Sequence, residues 1–401
     1  MKITGIVAEY NPFHTGHAYQ IAQTRQIFDE EIGIVAVMSG NWVQQADSAI
    51  VDKWTRTRLA LMGGADLVLE LPSVWATASA EGFARGAVTL LHQTGVVDHL
   101  SFGSEDGQIS PLREVANALD TPEFQRALAS YLDQGLSFPS ARQKAVYDLL
   151  GAGAAPLSTP NNNLGIEYLR SLNALNSTIT PLTILRKGAA HNAISSDAPE
   201  FVSATHIRSH LKTGRGADIF PYLIQKSRSP LFQENVQFSS LKLAERAILA
   251  RIRTMTAEDW ALLPDSGAAE GLCQRLEKAG LQCTSVEHFL DLVKTKRYTH
   301  SRLRRLVLWA YLGLTSDQIP HTPPYLRILG FNRTGQEILK AMKNSASLPL
   351  ITKPAHARNL PDPGRALFEL ESRFTDLYDL CLPDIPVPGR EWRTNPVLLL
   401  D

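Results

Sequence analysis

In the first two hundred residues, short apolar runs alternate with stretches of helical spacing. Ile3–Ala8, Ile32–Met38, Asp66–Leu71, Val97–Phe102 and Leu182–Leu185 read as strands, each bounded by Gly, Pro or polar residues. Nearly continuous apolar strands separated by helices predict a parallel sheet covered on both faces. The intervening stretches 17–28, 53–63, 79–94 and 161–175 carry helical spacing, and 123–150 reads as a helical insertion between the fourth and fifth strands. The expectation is an α/β, Rossmann-like domain over residues 1–215, with the insertion at about 110–160 and ligands at the carboxyl ends of the strands. After residue 215 the pattern changes. Lys226-Ser227-Arg228-Ser229-Pro230 reads as a connector, and 240–257, 267–280, 285–293 and 299–313 follow helical periodicity. A mainly α-helical region over 216–401 is expected, with an irregular Pro-rich tail from Leu382.

Composition narrows the class. The chain has 401 residues, 44% hydrophobic and 20% charged. That is ordinary globular composition, and the length suits two or three domains. Lys+Arg and Asp+Glu are equal at 40 each, so any nucleic-acid surface must be a local patch. The three cysteines, Cys273, Cys283 and Cys381, form no CxxC pair, which suits a reducing compartment and offers no Cys-based zinc site. The start of the chain lacks the pattern of a secretory signal, and no apolar run reaches the ~18 residues a membrane span needs. A cytoplasmic protein without a membrane partner is the expectation.

Two segments carry chemistry. The first, Ala8-Glu9-Tyr10-Asn11-Pro12-Phe13-His14-Thr15-Gly16-His17, leaves the first strand and enters a helix. Pro12 makes that exit extended. His14 and His17 are three apart and share one side of the helix start. There, free N–H groups and a partial positive charge favour phosphate, and two imidazoles add donors that follow charge developing on a phosphoryl group. Gly16 lets a base or ribose approach the backbone. The competing reading is a helix that happens to carry two histidines; its place directly after a first strand favours the functional one. No carboxylate or third His stands at ligand spacing nearby, which argues against a protein-held metal. The second segment, Ser203-Ala204-Thr205-His206-Ile207-Arg208, reads as an N-cap and first helical turns whose hydroxyls, amides and guanidinium suit the β- and γ-phosphates of ATP. Alone it is an ordinary capped helix; across the sheet from His14 and His17 it becomes a second phosphate element.

Together these elements resemble the HxGH and S-x-T-x-I-R signatures of the nucleotidyltransferase superfamily. Residues 5–20, Val37–Gln44, Ile50–Arg56, Ser101-Phe102-Gly103-Ser104-Glu105, Pro160–Asn162 with Leu164–Leu169, and Tyr325–Asn332 further resemble, in order, the bacterial tRNA(Met) cytidine acetate ligase family. The resemblance implies a two-step reaction. Acetate attacks the α-phosphate of ATP to give acetyl-adenylate and pyrophosphate. The exocyclic N4 amine of the wobble cytidine of elongator tRNA(Met) then takes the acetyl group. It also implies an ATP site on Val7, Ala8, Glu9, Tyr10, Asn11, Pro12, Phe13, His14, Thr15, Gly16, His17, Ala18, Tyr19 and Gln20, with Gly103, Asn162 from the run Asn161–Asn163, and Arg186. After Gln44 the family usually carries an Arg-Gly-Glu-Pro-like run; this chain has Gln45-Ala46-Asp47-Ser48.

The residues fit those roles on their own chemistry. Gly103 would leave bare backbone beside adenine, Asn162 can donate to and accept from a base or ribose, and Arg186 can neutralise phosphate. A helix N-cap is the competing role for Asn162. Lys53 is a candidate for phosphate or acetate, against a solvated helix start. With no carboxylate cage, Mg²⁺ is expected to arrive bound to the ATP phosphates. For tRNA, Lys294, Lys296, Arg297, Tyr298, Arg302, Arg304 and Arg305 lie in a run of six cations without an acid, and Tyr298 could stack on a base. A solvated basic helix is the alternative. Arg327 and Arg333, flanking a turn at Gly330, could extend the patch. Two other functions compete: an adenylyltransferase acting on a small acceptor such as nicotinamide mononucleotide or phosphopantetheine, which needs no basic helical region, and a non-catalytic RNA-binding protein, which needs no intact His14, Gly16 and His17.

Overall fold

Strand β2 (Ile32–Ser39) is buried along its whole length because both faces of the sheet are covered. Val35 and Val37 point into one apolar cluster, while Ile34, Ala36 and Met38 point into the other. That two-sided burial is why the run shows no polar alternation. The computed structural model describes residues 1–187, 202–268 and 271–400. In chain order its strands are β1 (Lys2–Ala8), β2, β3 (Trp42–Val43), β4 (Asp47–Ser48), β5 (Leu67–Leu71), β6 (His99–Ser104), β7 (Thr180–Leu185), β8 (Leu326–Asn332), β9 (Leu350–Ile351) and β10 (Val397–Leu399). The main sheet runs β10-β8-β5-β2-β1-β6-β7, and β9 pairs with β8; β3 and β4 form a separate antiparallel ribbon. Strands β5, β2, β1, β6 and β7 are mutually parallel, whereas β8 runs antiparallel to β5. The five strands read from the sequence are these five parallel ones.

Helices cover both faces. Helix Ala80–Gln93 packs on one, where Gly5 makes room for it: a Cβ there would sit 2.7 Å from Leu91 Cδ2. Helices Thr15–Gln26 and Lys53–Met62 bury Ile21 and Leu59 on the other. The helices at 245–254, 272–280, 286–293 and 300–312 add Ile248, Leu276, Phe289 and Leu306 to the same cluster that holds Val35 and Leu100. Trp42 Nε1 donates to Phe374 O at 3.0 Å and Trp309 Nε1 to Thr77 Oγ1 at 2.9 Å, so indoles tie the helical part to the sheet.

Four differences from the sequence reading have physical causes. The segment 326–332 is a strand of the main sheet, and Gly330 lies inside it rather than in a turn. A Cβ at Gly330 would meet Thr57 Cγ2 at 2.6 Å. Arg327 is buried there at 1% exposure and so does not extend a basic patch, whereas Arg333 is exposed and donates to Leu400 O at 2.7 Å. Lys226–Pro230 belongs to a short helix, Gln225–Leu231. Lys53 is neither solvated nor turned to a ligand. Its ammonium is buried against Glu70 at 2.6 Å and Glu391 at 2.5 Å, and Arg327 reaches Glu391 at 3.5 Å. Gly40 admits this cluster, since a Cβ would lie 2.5 Å from Glu70 Oε1. The three cysteines are buried and unpaired. No helix among the described residues is long and apolar enough to cross a membrane.

Candidate active site

The strand order reverses between β1 and β6, since β2 and β5 lie on one side and β7 on the other. In such sheets ligands sit at the carboxyl ends of the strands beside that switch point. Here a cleft of about 440 Å³ opens there, a volume typical of small-molecule sites. Val7 and Ala8 from β1, Phe102 and Gly103 from β6, and Ile184 and Leu185 from β7 form its base.

The loop after β1 is held from behind. Tyr10, Asn11, Pro12 and Phe13 are buried and do not line the cleft. Asn11 Oδ1 accepts from Ile50 N at 2.7 Å. Phe13 fills the space above Gly63, where a Cβ would run into its ring. Of the run implied to bind ATP, these four side chains are turned away from the cleft and anchor the loop. Thr15 and Ala18 also lie outside the cleft lining, whereas Val7, Ala8, Glu9, His14, Gly16, His17, Tyr19 and Gln20 belong to it. Arg56 is a clamp that the sequence reading missed. It is buried, and its guanidinium donates to the carbonyls of Glu9 at 2.7 Å, Ser39 at 3.0 Å and Gly40, tying the ends of β1 and β2 together.

The two histidines cap their own helix. His14 Nδ1 accepts from Gly16 N at 3.0 Å, and His17 Nδ1 accepts from His14 N at 3.2 Å. Each neutral ring then carries its proton on Nε2. The rings lie 3.8 Å apart. Burial, reinforced by Arg186 and Arg208, pushes His14 down to about 3. Burial, then His14 and Arg186, lowers His17 well below its ordinary range. Two neutral N–H donors thus stand side by side at a helix N-terminus.

Cations face them. Arg186 lines the cleft and forms no ion pair or side-chain hydrogen bond with any described residue. Gly103 gives it passage, since a Cβ there would sit 3.0 Å from Arg186 Cγ. Across the cleft, Ser203 caps helix Ala204–Lys212, accepting from His206 N at 3.2 Å, and Thr205 and Arg208 complete the rim. Arg208 donates to Asn11 O at 3.0 Å and Thr205 Oγ1 at 3.1 Å. Glu9 is the carboxylate in the lining. Burial raises its affinity for a proton, against Gln44 N, which donates to Oε1 at 2.8 Å, and the charges of Arg208 and Arg56.

The Asn run divides differently from the expectation. Asn162 is buried at 1% exposure behind the cleft wall. Its Oδ1 accepts from Glu105 N at 2.9 Å and its Nδ2 donates to Asp106 at 3.2 Å, so its polar atoms are spent on the turn after β6. Thr159 holds the N-cap position without a side-chain capping bond, and the Glu105 carboxylate accepts from Asn161 N at 3.2 Å and Asn162 N at 2.8 Å. Asn161 and Asn163 line the cleft. Helical geometry turns consecutive residues about 100° apart, which three identical residues do not reveal in sequence. Gln44, Gln45, Lys187 and an apolar wall of Phe83, Phe102 and Tyr168 also line the site without having been singled out for it. A lining Phe and a core Phe carry the same sequence signal.

The basic run 294–305 lies outside the cleft lining. Lys296, Arg297 and Arg304 are exposed. Tyr298 is buried at 6% exposure beneath the Arg302 guanidinium, so it cannot stack on a base as expected. Lys294 Nζ donates to the carbonyls of Thr295 and Tyr298, and Arg302 and Arg305 both pair with Asp265 at 3.2 Å.

A first strand, a loop entering paired histidines and a capped helix opposite, all around one switch-point cleft, define a nucleotidyltransferase of the HIGH type. A family model described as HIGH Nucleotidyl Transferase matches residues 1–388. Similarity also spans full proteins. The tRNA(Met) cytidine acetate ligase of Clostridium novyi (strain NT) is 36% identical over 100% of both chains, and that of Clostridium tetani (strain Massachusetts / E88) is 38% identical over 99% of this chain and 100% of its own. The crystal structure of Thermotoga maritima TmcAL bound with alpha-thio ATP is 33% identical, covers 100% of each chain and superposes with a TM-score of 0.90. The chain belongs to the tRNA(Met) cytidine acetate ligase family.

Proposed function

We propose that this protein activates acetate with ATP and transfers the acetyl group to the N4 amine of the wobble cytidine of elongator tRNA(Met). Acetate oxygen attacks the α-phosphorus, pyrophosphate leaves, and acetyl-adenylate remains in the cleft. The cytidine amine then attacks the acetyl carbon, releasing AMP and a proton. The observation that carries this reading is the convergence of His14 and His17, with both Nδ1 atoms engaged, on a cleft rimmed by Arg186 and Arg208. Donors fixed toward the phosphates need no reorganisation as charge shifts from the α-phosphorus to pyrophosphate. Arg186, Ser203, Thr205 and Arg208 take the β- and γ-phosphates, while Gly103, Asn161 and Asn163 border the nucleoside. Full-length similarity to proteins named for this reaction supports it over a small-molecule acceptor.

The cleft offers cations, amides and hydroxyls with Glu9 as its carboxylate, which suits Mg²⁺ carried on the ATP phosphates. Chelator should then stop the reaction, while elemental analysis of the isolated protein should find no stoichiometric metal; a tightly held zinc would overturn this. The reaction belongs in the cytoplasm, where its substrates are. Lys296, Arg297 and Arg304 supply phosphate contacts to the body of the tRNA. The central test incubates pure protein with ATP, radiolabelled acetate and bulk tRNA. Label should appear on cytidine after nuclease digestion; label that stays in a small molecule and never enters tRNA overturns the acceptor.

A further inference from the structure

The helix that closes the cleft continues into a surface that the site itself does not use. Helix Ala204–Lys212 enters at Ser203 and Thr205, which line the cleft, and runs out to Lys212. The 3-10 turn Gly216–Tyr222 folds back on it, with Arg215 N donating to His210 O at 2.9 Å and Tyr222 against His206 at 6.2 Å between ring centres. Helix Gln225–Leu231 follows. Between residues 203 and 232 the sequence carries Arg208, Lys212, Arg215, Lys226 and Arg228 against Asp218 as its acid, and Lys212 meets Asp47 from the β3–β4 ribbon at 3.8 Å.

Large apolar rings stand in this basic surface. Phe220 is 37% exposed and Phe232 is 36% exposed, with ring centres 5.2 Å apart. Both would ordinarily be buried in a core. Arg228 lies 5.8 Å above the Phe220 ring; its Nη2 donates to Leu223 O at 3.5 Å, and its buried Nε has no hydrogen-bond partner among the described residues. Exposed aromatic faces interleaved with cations are the chemistry that holds unpaired nucleotides: bases stack on rings while cations take phosphates. By contrast, the run 294–305 keeps its aromatic ring buried and two of its arginines paired to Asp265.

We infer that the surface from Lys212 through Phe232 is the platform for single-stranded RNA beside the reacting base, holding the anticodon loop while its cytidine enters the cleft. This rests on the reading that tRNA is the acceptor. The wobble base sits in an unpaired loop, and its amine must reach an adenylate bound in the cleft. The loop nucleotides next to it must therefore lie on whatever adjoins the rim, and helix Ala204–Lys212 joins rim to platform. Stacking here is sequence-tolerant and holds the loop open; choice of base falls to the cleft.

The test separates binding from chemistry. A synthetic anticodon stem-loop with 4-thiouridine in its loop is bound without ATP or acetate, irradiated, and the attached peptide identified. Crosslinks should fall within residues 204–232. Phe220→Leu, which keeps apolar packing but loses the ring face, should weaken stem-loop binding about tenfold, and Phe220→Trp should restore it. Arg215→Ala and Lys226→Ala should each lower the salt slope of binding by up to about one unit. Acetate-dependent pyrophosphate exchange reads folding and activation in every variant. Crosslinks confined to other segments, unaltered affinity in these variants, or no stem-loop binding by the wild type overturn the platform. If the wild type binds the loop here but moves no acetyl group to tRNA, the proposed reaction fails while the platform stands. If it acetylates tRNA while these variants bind normally, the platform fails and the reaction stands.

Discussion

Two groups of buried or half-buried charge lie on either side of β2, and they differ in one respect. In the cluster beneath Gly40, Lys53 has Glu70 and Glu391 within 2.6 Å and Arg327 has Glu391 at 3.5 Å. Around the cleft, Arg186 has no ion pair among the described residues, and Arg208 donates to a carbonyl and a hydroxyl. Desolvated charge is tolerated where opposite charge answers it. Matched charge therefore marks architecture, and unmatched charge at a cleft marks where an anion belongs. The same criterion divides the basic run, where Arg302 and Arg305 are answered by Asp265 while Lys296 and Arg304 stand in solvent.

The sharpest way to break this comparison is to alter one region at a time. Lys53→Met leaves Glu70 and Glu391 buried without their shared partner. Removing one member of a buried pair typically costs about 3–5 kcal/mol, which chemical denaturation can read. Loss below about 1 kcal/mol would mean the cluster holds nothing together. In the cleft, His14→Ala and His17→Ala should each lower acetate-dependent pyrophosphate exchange about a hundredfold and change ATP affinity and stability far less. Exchange that survives in the double variant would remove the paired imidazoles from the reaction.

Legibility in the sequence followed the range of the interactions. The strand, loop and histidines occupy residues 2–17, and each helps determine the next through local geometry. Ser203 and Arg208 were visible for the same reason, as an N-cap and the first turns of one helix. What escaped notice depends on partners far along the chain. Strand β8 carries Arg327 inside a largely apolar run, and its ion pair with Glu391, on the helix Arg390–Arg393 far along the chain, helps make that burial tolerable. Lys53 looks like a solvated helix start until Glu70 and Glu391 are seen beside it. Asn162 and its neighbours differ in direction alone, and Tyr298 is chemically fit to stack yet is buried under Arg302.

The cleft histidines also predict a pH dependence with a definite sign. His14 is lowered to about 3 by burial and by Arg186 and Arg208. An unfolded histidine titrates near ~6.5. The stability that this neutral ring carries is therefore full above ~6.5 and is lost progressively as pH falls toward 3. Over that window the His14→Ala variant should lose stability less steeply than the wild type; parallel curves would show that His14 titrates like an exposed residue. Pyrophosphate exchange should show no acid limb near ~6.5 from these rings, since both remain neutral donors well below it.

The smallest effect, and the finest test of the comparison, lies within the basic run. Arg302→Ala with Arg305→Ala removes two cations that Asp265 already answers, in an ion pair of the exposed kind worth about 0–1 kcal/mol. Stability should fall by no more than that. Because these guanidiniums are turned to Asp265, the salt dependence of tRNA binding should stay close to that of the wild type. Lys296→Ala with Arg304→Ala removes the same charge from positions open to solvent. Each of these cations that neutralises a tRNA phosphate contributes about one unit to the salt slope, and its removal lowers the slope by that amount. The two double variants change net charge equally, so a general electrostatic attraction would weaken binding in both by similar amounts. A difference in slope between them isolates pairing as the deciding variable. Equal slopes in both, unchanged from the wild type, would give these four cations no share in tRNA binding and leave the tRNA phosphates to other cations of the protein.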